Sequence, residues 1–221
     1  MKISDYLNFI DSRAPDSFSK AIKISGLKLN SNSNIWNPKK GKSTKMFLGV
    51  LKKYAINPDE KVLDLGTGVG ILALLAWQKG AKNILAVDIS EESVVNAKEN
   101  FKLNKASIKV KQSSLFSNIK GKYDLVLFNA PASHPKRVNS KIGKWSLWSD
   151  DDRLLKNFVD ELPKRLNKKG RALVMCSRFV DFDPLPEAYL DSSKFSYRYV
   201  SKREGELSVT TIIELKLKSF I

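Results

Sequence analysis

A glycine-rich turn between two apolar runs sets the strongest limit on how this chain can fold. The run from Lys61 to Leu65 has the composition of a short buried strand, and glycines follow at positions 66, 68 and 70. The segment from Ile71 to Lys79 is apolar and predicts a helix. Glycine suits such a turn because it adopts φ > 0 and lets a ligand lie against the backbone with no Cβ in the way. The helix that follows offers unpaired N–H groups and the positive end of its dipole. The turn therefore predicts a strand–loop–helix unit that binds a ligand.

The rest of the chain alternates between strands and helices, as a parallel doubly wound sheet requires. We expect further strands at Asn83 to Val87, Ile108 to Val110, Tyr123 to Phe128 and Arg171 to Cys176, and helices from Ser43, after the capping residue Ser90 and from Leu154 to Leu166. Two β-rich runs, Phe195 to Ser201 and Ser208 to Leu217, predict a terminal hairpin. The expected fold is α/β: a seven-stranded, mostly parallel, doubly wound (Rossmann-like) sheet with an antiparallel last strand.

The first part of the chain differs from this pattern. Ile3, Tyr6, Leu7 and Ile10 have the spacing of one helical face, and the polar run from Lys28 to Asn34 predicts an exposed connection. We therefore expect a short helical and loop extension over residues 1–42 and one main domain over residues 43–221.

Length and composition limit the setting. A chain of 221 residues is long enough for one sizeable α/β core. No run reaches the roughly 18 to 20 apolar residues that span a bilayer, and the N-terminus lacks the apolar core of a signal peptide. The single cysteine, Cys176, lies in an apolar run that predicts a buried, inert thiol. We expect a cytoplasmic protein with no membrane partner and no metal site; its oligomeric state stays open.

The formal net charge of +16 at pH 7 suggests a nucleic acid or another polyanion as partner. The basic residues are mostly lysines spread along the whole chain, which is also typical of solvated faces. The charge alone leaves both interpretations open.

The spacing of the turn separates two classes of cofactor. Enzymes that bind dinucleotides prefer G-x-G-x-x-G, which accommodates a pyrophosphate. Here the pattern is Asp-x-Gly-x-Gly-x-Gly, with Asp64 two residues before Gly66. A carboxylate at that position repels a pyrophosphate but tolerates a ligand with an amino group and a sulfonium. The pattern disfavours a nicotinamide-dependent oxidoreductase.

Two further anchors follow at the ends of the next strands. Asp88 can accept hydrogen bonds from both hydroxyls of an adenosine ribose, although a carboxylate there also caps helices. After the third strand, Ser114 is the candidate for an adenine contact, and Leu115 and Ile89 are candidate apolar walls. A plain turn is the alternative for that loop.

The segment from Lys61 to Pro131 resembles class I S-adenosylmethionine-dependent methyltransferases. The run from Val62 to Ala73 looks like the first motif of that family, and the run from Ala81 to Asp88 looks like the second. The run from Ala97 to Asn104 is similar to the helix end of release-factor glutamine and ribosomal-protein methyltransferases, of their RNA-modifying relatives and of the small methyltransferase domain. The resemblance implies S-adenosyl-L-methionine as cofactor, held by Asp64, Gly66, Thr67, Gly68, Gly70, Asp88, Ile89, Ser114, Leu115 and Asn129.

The residues after the fourth strand bear on the acceptor. Relatives that methylate nitrogen carry Asn-Pro-Pro-Tyr, whose Asn orients the target nitrogen and whose ring stacks on the substrate. This chain keeps Asn129 and Pro131, which the resemblance makes catalytic candidates, but it has Ala132 in place of the aromatic residue. Stacking would then need another ring, for which the candidates are Trp36, Trp145 and Trp148.

His134, the one histidine, lies five residues beyond Asn129 and is a candidate general base. An incidental position in a loop is the alternative. The stretch from Ser133 to Trp148 interleaves basic residues with two tryptophans, which is typical of a clamp for an anionic substrate and also of a loop with solvated lysines.

The sequence thus predicts a methyltransferase whose acceptor is a macromolecule, either a protein side chain or RNA, with transfer to nitrogen. A small-molecule N- or O-methyltransferase is the alternative, and a methyltransferase-like protein that binds the cofactor without catalysis is an alternative of another class.

Overall fold

In a computed structural model, the described part of the protein comprises residues 22–31, 35–39, 41–133, 148–149, 153–179, 190–205 and 208–218. The helices are α1 (Lys42–Lys53), α2 (Ile71–Gln78), α3 (Glu91–Leu103) and α4 (Arg153–Arg165). The strands are β1 (Ile22–Ile24), β2 (Leu27–Leu29), β3 (Lys61–Leu65), β4 (Asn83–Asp88), β5 (Lys109–Gln112), β6 (Tyr123–Asn129), β7 (Ala132–Ser133), β8 (Trp148–Ser149), β9 (Leu166–Phe179), β10 (Phe195–Glu204) and β11 (Ser208–Leu217).

Seven of these strands form one sheet in the order β10-β11-β9-β6-β3-β4-β5. Strands β5, β4, β3, β6 and β9 run parallel to one another, whereas β11 pairs antiparallel with both β9 and β10. The predicted fold class is confirmed. The strand expected from Arg171 begins five residues earlier, at Leu166, because Leu166 pairs with Tyr123 before a register shift, after which Leu125 pairs with Arg171.

Each face of the sheet carries its own core, because successive side chains of a strand point to opposite faces. On β3, Val62 packs with α1, α2 and α3, whereas Leu63 and Leu65 pack with α4. Helix α2 is buried from Ile71 to Ala76, as a helix apolar on every side must be. This placement on both faces leaves the carboxyl ends of the parallel strands free for a site.

The N-terminal part forms a hairpin that the sequence did not predict. Strands β1 and β2 pair antiparallel, and Leu27 and Leu29 are buried in the core that contains α2 and α3. The expectation of an exposed connection is wrong for Leu29 and Ser31, which are 1% and 4% exposed. Residues 22–29 therefore form a strand–turn–strand hairpin rather than a helix or an exposed loop, because Leu27 and Leu29 pack against this core.

Other expectations have different outcomes. Cys176 is buried, as its apolar surroundings predict. Within the described ranges, no helix has both the length and the apolarity needed to cross a membrane. The helical face expected at Ile3 to Ile10 lies outside the described residues, and the division of the chain between residues 42 and 43 stays a prediction.

Candidate functional site

The glycine loop connects β3 to α2 at the carboxyl edge of the sheet, where open α/β folds bind their ligands. Gly66, Gly68 and Gly70 have φ values of 64°, 53° and 85°, so each adopts the left-handed conformation that favours glycine. The loop is also tied to β4, because the Thr67 N–H donates to the carbonyl of Val87 at 2.9 Å. The turn predicted from the sequence is thus a fixed loop between two strands and a helix.

Asp64, on β3, lies beneath this loop and is 1% exposed. Its Oδ2 accepts hydrogen bonds from the Thr67 hydroxyl at 2.7 Å and from the Ala73 N–H at 3.1 Å. Its Oδ1 accepts none from the described residues. Burial raises the pKa of this carboxyl group to about 7, although the two hydrogen bonds oppose the shift. A buried carboxylate with one unpaired oxygen is suited to a ligand that carries a positive charge.

Two glycines of the loop have different surroundings. A Cβ on Gly70 would lie 2.5 Å from Cε1 of Phe101, so helix α3 packs directly against the loop there. A Cβ on Gly68 would meet no protein atom within 4 Å. The Gly68 side of the loop is therefore open to a ligand, while the Gly70 side is supported from behind.

Asp88 ends β4 and is 9% exposed. Its Oδ2 accepts the Gly68 N–H at 2.9 Å and its Oδ1 accepts the Ser90 N–H at 3.0 Å. Burial raises the pKa of its carboxyl group, against these hydrogen bonds. The cap of α3 is Ser90, whose hydroxyl accepts the Ser93 N–H, so the helix-cap alternative does not describe Asp88. Each carboxylate oxygen keeps a second lone pair, which suits two ligand hydroxyls.

The loop after β5 lies beside Asp88, since the Ser113 N–H donates to the Asp88 carbonyl at 2.8 Å. Ser113 was not predicted, yet it organises this loop: its hydroxyl donates to the Leu115 carbonyl at 2.9 Å and accepts the Asn118 N–H at 3.0 Å. Leu115 has φ 46°, and Ser114 is left exposed. Ile89 is 41% exposed on the neighbouring loop. Nothing in the sequence distinguishes the adjacent Ser113 and Ser114, so the sequence could not predict that Ser113 would be the buried one.

Asn129 ends β6, one residue beyond the pairing of Phe128 with Leu65 of β3. The fold therefore places Asn129 at the same edge as the glycine loop, and it is half-buried there. The Ala130 N–H donates to the Met175 carbonyl of β9 at 3.2 Å, which fixes the backbone that follows. Pro131 is half-buried as well.

The next residues bring one tryptophan close in the backbone register. Strand β7 pairs parallel with β8, and Ala132 lies opposite Trp148. Among the candidate rings, Trp36 lies next to Gly41, where an added Cβ would lie 2.6 Å from the indole nitrogen. His134, Trp145 and the segment between β7 and β8 lie outside the described residues.

Comparison with known proteins agrees with this geometry. A sequence profile of the methyltransferase small domain matches residues 27–209. A Methanocaldococcus jannaschii protein named as a protein N5-glutamine methyltransferase is 33% identical over 160 residues, which cover 71% of this chain and 79% of the relative. The ribosomal protein L11 methyltransferase of Thermosipho africanus is 36% identical over 139 residues, 63% of this chain but 45% of the relative, so this chain spans less than half of that protein's length.

A solved structure gives the same result in three dimensions. The ribosomal protein L11 methylase of Lactobacillus delbrueckii subsp. bulgaricus superposes with a TM-score of 0.59 at 28% identity, covering 79% of each chain. The sheet order, the glycine loop and the profile match over most of the chain agree with one another. This chain belongs to the methyltransferase small domain family and is a class I methyltransferase in fold.

Proposed function

We propose that this protein uses S-adenosyl-L-methionine to methylate a nitrogen atom of a protein side chain. The observation that carries the cofactor is Asp64, a buried carboxyl group whose Oδ2 accepts the Thr67 hydroxyl of the glycine loop and whose Oδ1 has no partner among the described residues. A cofactor that carries an ammonium group on its amino acid end meets that charge, and a pyrophosphate does not. Support for a protein acceptor comes from two relatives whose names specify protein substrates.

When bound, the cofactor supplies a methyl group on a sulfonium, which the acceptor nitrogen takes in an in-line displacement that leaves a thioether. The residues of this chain hold the cofactor and orient the acceptor. Asp64 and the loop from Gly66 to Gly70 bind the amino acid end of the cofactor, and Asp88 accepts hydrogen bonds from the ribose hydroxyls. Ile89, Ser114 and Leu115 border the adenine.

Asn129 orients the acceptor, since its side-chain oxygen accepts a hydrogen bond from the target N–H and aligns the nitrogen lone pair. Such positioning supplies a large part of the acceleration in displacement reactions. Pro131 holds the backbone behind Asn129, and His134 is the proposed proton acceptor.

A small-molecule acceptor is the second candidate, and Ala132 favours it. The aromatic residue that would stack on a planar substrate group is absent from that position. Trp148, whose backbone pairs opposite Ala132 in β7 and β8, is the candidate residue to replace it if the acceptor is a macromolecule.

Calorimetric titration with S-adenosylhomocysteine and with NAD tests the cofactor. We expect saturable 1:1 binding of S-adenosylhomocysteine and no binding of NAD. Binding of NAD alone would overturn the cofactor assignment. Transfer of a labelled methyl group to separated protein, RNA and small-molecule fractions then tests the acceptor, with Asn129→Ala as the inactive control. Label in RNA or in small molecules would refute the protein acceptor, and binding without transfer would show a non-catalytic protein.

A further inference from the structure

A fully buried asparagine on α3 contacts two parts of the molecule that are distant in sequence. Asn100 is 0% exposed. Its Nδ2 donates to the carbonyl of Asn30 and to the carbonyl of Val69, each at 2.9 Å, and its Oδ1 accepts the Asn30 N–H at 2.8 Å. Asn30 follows hairpin strand β2, and Val69 lies in the glycine loop between Gly68 and Gly70. One amide group thus holds the N-terminal hairpin and the cofactor loop together.

The contact requires an amide for chemical reasons. Nδ2 donates to the two carbonyls at 2.9 Å and also lies 3.4 Å from Oδ1 of Asn96, and Oδ1 accepts the Asn30 N–H, so both ends of the side chain are used. A carboxylate in its place would face two carbonyl oxygens in a buried site, and an apolar side chain would leave an N–H and two carbonyls without partners.

The same helix supports the loop through the next residue. The ring of Phe101 packs where a Cβ on Gly70 would lie, at 2.5 Å. Gly70 is the N-cap of α2 and adopts the left-handed conformation, so the orientation of the peptide between Val69 and Gly70 decides where the loop ends and the helix starts. Asn100 fixes that peptide from its carbonyl side.

Asn104 is the C-cap residue of α3, one turn beyond Asn100. It donates from Nδ2 to the Asn100 carbonyl at 2.8 Å and makes a matching pair with the hairpin, but within the described residues it makes no hydrogen bond to the glycine loop. Its Oδ1 accepts the Lys28 N–H at 2.9 Å and its Nδ2 donates to the Lys28 carbonyl at 2.6 Å. Two asparagines therefore bind the backbone of the hairpin as a neighbouring strand would, and Asn100 alone of these two also reaches the glycine loop.

The geometry points to Asn100 as a positioning residue that couples docking of the β1–β2 hairpin to the cofactor loop, so that cofactor binding and hairpin docking stabilise each other. This inference rests on the proposed use of S-adenosyl-L-methionine. Coupling between two sites is reciprocal, so each event strengthens the other by the same factor.

Hydrogen exchange of the unaltered protein gives the first test. Saturation with S-adenosylhomocysteine should slow exchange of the Lys28 and Asn30 amides by about 5-fold or more, because opening of the hairpin would release Val69 and weaken the ligand. Slower exchange in the glycine loop with unchanged exchange at Lys28 and Asn30 would overturn the coupling while leaving the cofactor assignment intact. If S-adenosylhomocysteine does not bind at all, the proposed cofactor is refuted instead.

Two variants separate coupling from general loss of structure. Asn100→Ala should raise the Kd for S-adenosylhomocysteine by about 5-fold or more, whereas Asn104→Ala should leave it within about twofold of the wild type, although both lower the melting temperature. Equal Kd increases in the two variants, or an unchanged Kd in Asn100→Ala, would overturn the inference. If Asn100→Ala does not fold, the hydrogen-exchange experiment is repeated on Asn104→Ala. S-adenosylhomocysteine should still slow exchange of the Asn30 amide in that variant, and unchanged exchange there would overturn the inference.

Discussion

The carboxyl group of Asp64 is close to half ionised at neutral pH, because burial raises its pKa to about 7. A ligand ammonium at its unpaired Oδ1 favours the ionised form, so binding removes the proton. In the protein without ligand, burial favours the protonated, uncharged form of Asp64 over the ionised form. The stability contribution of this group is therefore greatest below pH 4 and falls as the pH rises from about 4 to 7.

Affinity for S-adenosylhomocysteine should consequently increase with pH. We expect Kd to fall by about tenfold per pH unit well below pH 7 and to level off above pH 8. Asp64→Asn should bind more weakly at pH 8 and lose this pH dependence, as calorimetry at pH 5.5, 6.5, 7.5 and 8.5 would show. A wild-type Kd that is the same at all four values contradicts the role of Asp64.

Alanine substitutions at two glycines of similar conformation distinguish the cost of backbone strain from the cost of steric contact. Gly70 and Gly80 have φ values of 85° and 102°, but a Cβ meets Phe101 at Gly70 and no atom within 4 Å at Gly80. Gly80→Ala should lower the free energy of unfolding by about 1 kcal/mol from strain alone. Gly70→Ala should lower it by about 1–3 kcal/mol more, because of overpacking. Urea unfolding measures both, and equal losses would mean that Phe101 moves aside without cost.

At the scale of elements, a polar network joins α1 to the antiparallel end of the sheet. Arg171 of β9 donates to both carboxylate oxygens of Glu60, at 2.9 and 3.1 Å, and to the hydroxyl of Tyr54 at 3.0 Å. Tyr54, just after α1, donates to Glu214 of β11, which also accepts two hydrogen bonds from Arg198 of β10. The network compensates the burial of Glu214, which is 3% exposed.

Glu214→Gln should lower the free energy of unfolding by about 1.5–3 kcal/mol at pH 7, since hydrogen bonds to a charged group are lost. Asp160→Asn, which breaks the exposed pair with Lys156, should cost about 0.3–0.5 kcal/mol. Burial raises the pKa of Glu214, but Arg198, Tyr54 and Lys216 outweigh it and lower the pKa to about 2. The advantage of the wild type over Glu214→Gln should therefore disappear as the pH falls from 4.5 to 2, and an advantage that persists at pH 2 would contradict this assignment.

At the scale of the whole molecule, the net charge of +16 acts over the entire surface. Such a field attracts any polyanion and does not by itself select an acceptor. We expect binding to ribosomal particles to weaken linearly in log Kobs against log salt, with a slope of about −0.7 to −0.9 per phosphate contacted. Filter binding between 50 and 200 mM salt measures the slope, with a chain of reduced charge, Lys102→Gln and Lys105→Gln, as the comparison. A slope of zero would show that the charge has no polyanionic partner.

The elements predicted correctly from the sequence are those with local signals. The apolar run from Lys61 to Leu65, the cap at Ser90 and the spacing of glycines at 66, 68 and 70 each act over a few residues, and the structure has the elements that they predict. The meeting of Asp64, Gly68 and Asp88 followed from the parallel order, because the carboxyl ends of neighbouring parallel strands share one edge.

Tertiary structure alone decided the partners of polar side chains. Asn100 and Asn104 lie in a polar stretch typical of an exposed helix end. Their side chains nevertheless bind backbone groups 70 and 76 residues away in the sequence. Leu29 stands in a polar run, and its burial depends on a core built from α2 and α3. A hydrogen bond or an apolar contact over such a distance carries no local periodicity, so its partner is fixed when the chain packs rather than by the pattern of neighbouring residues.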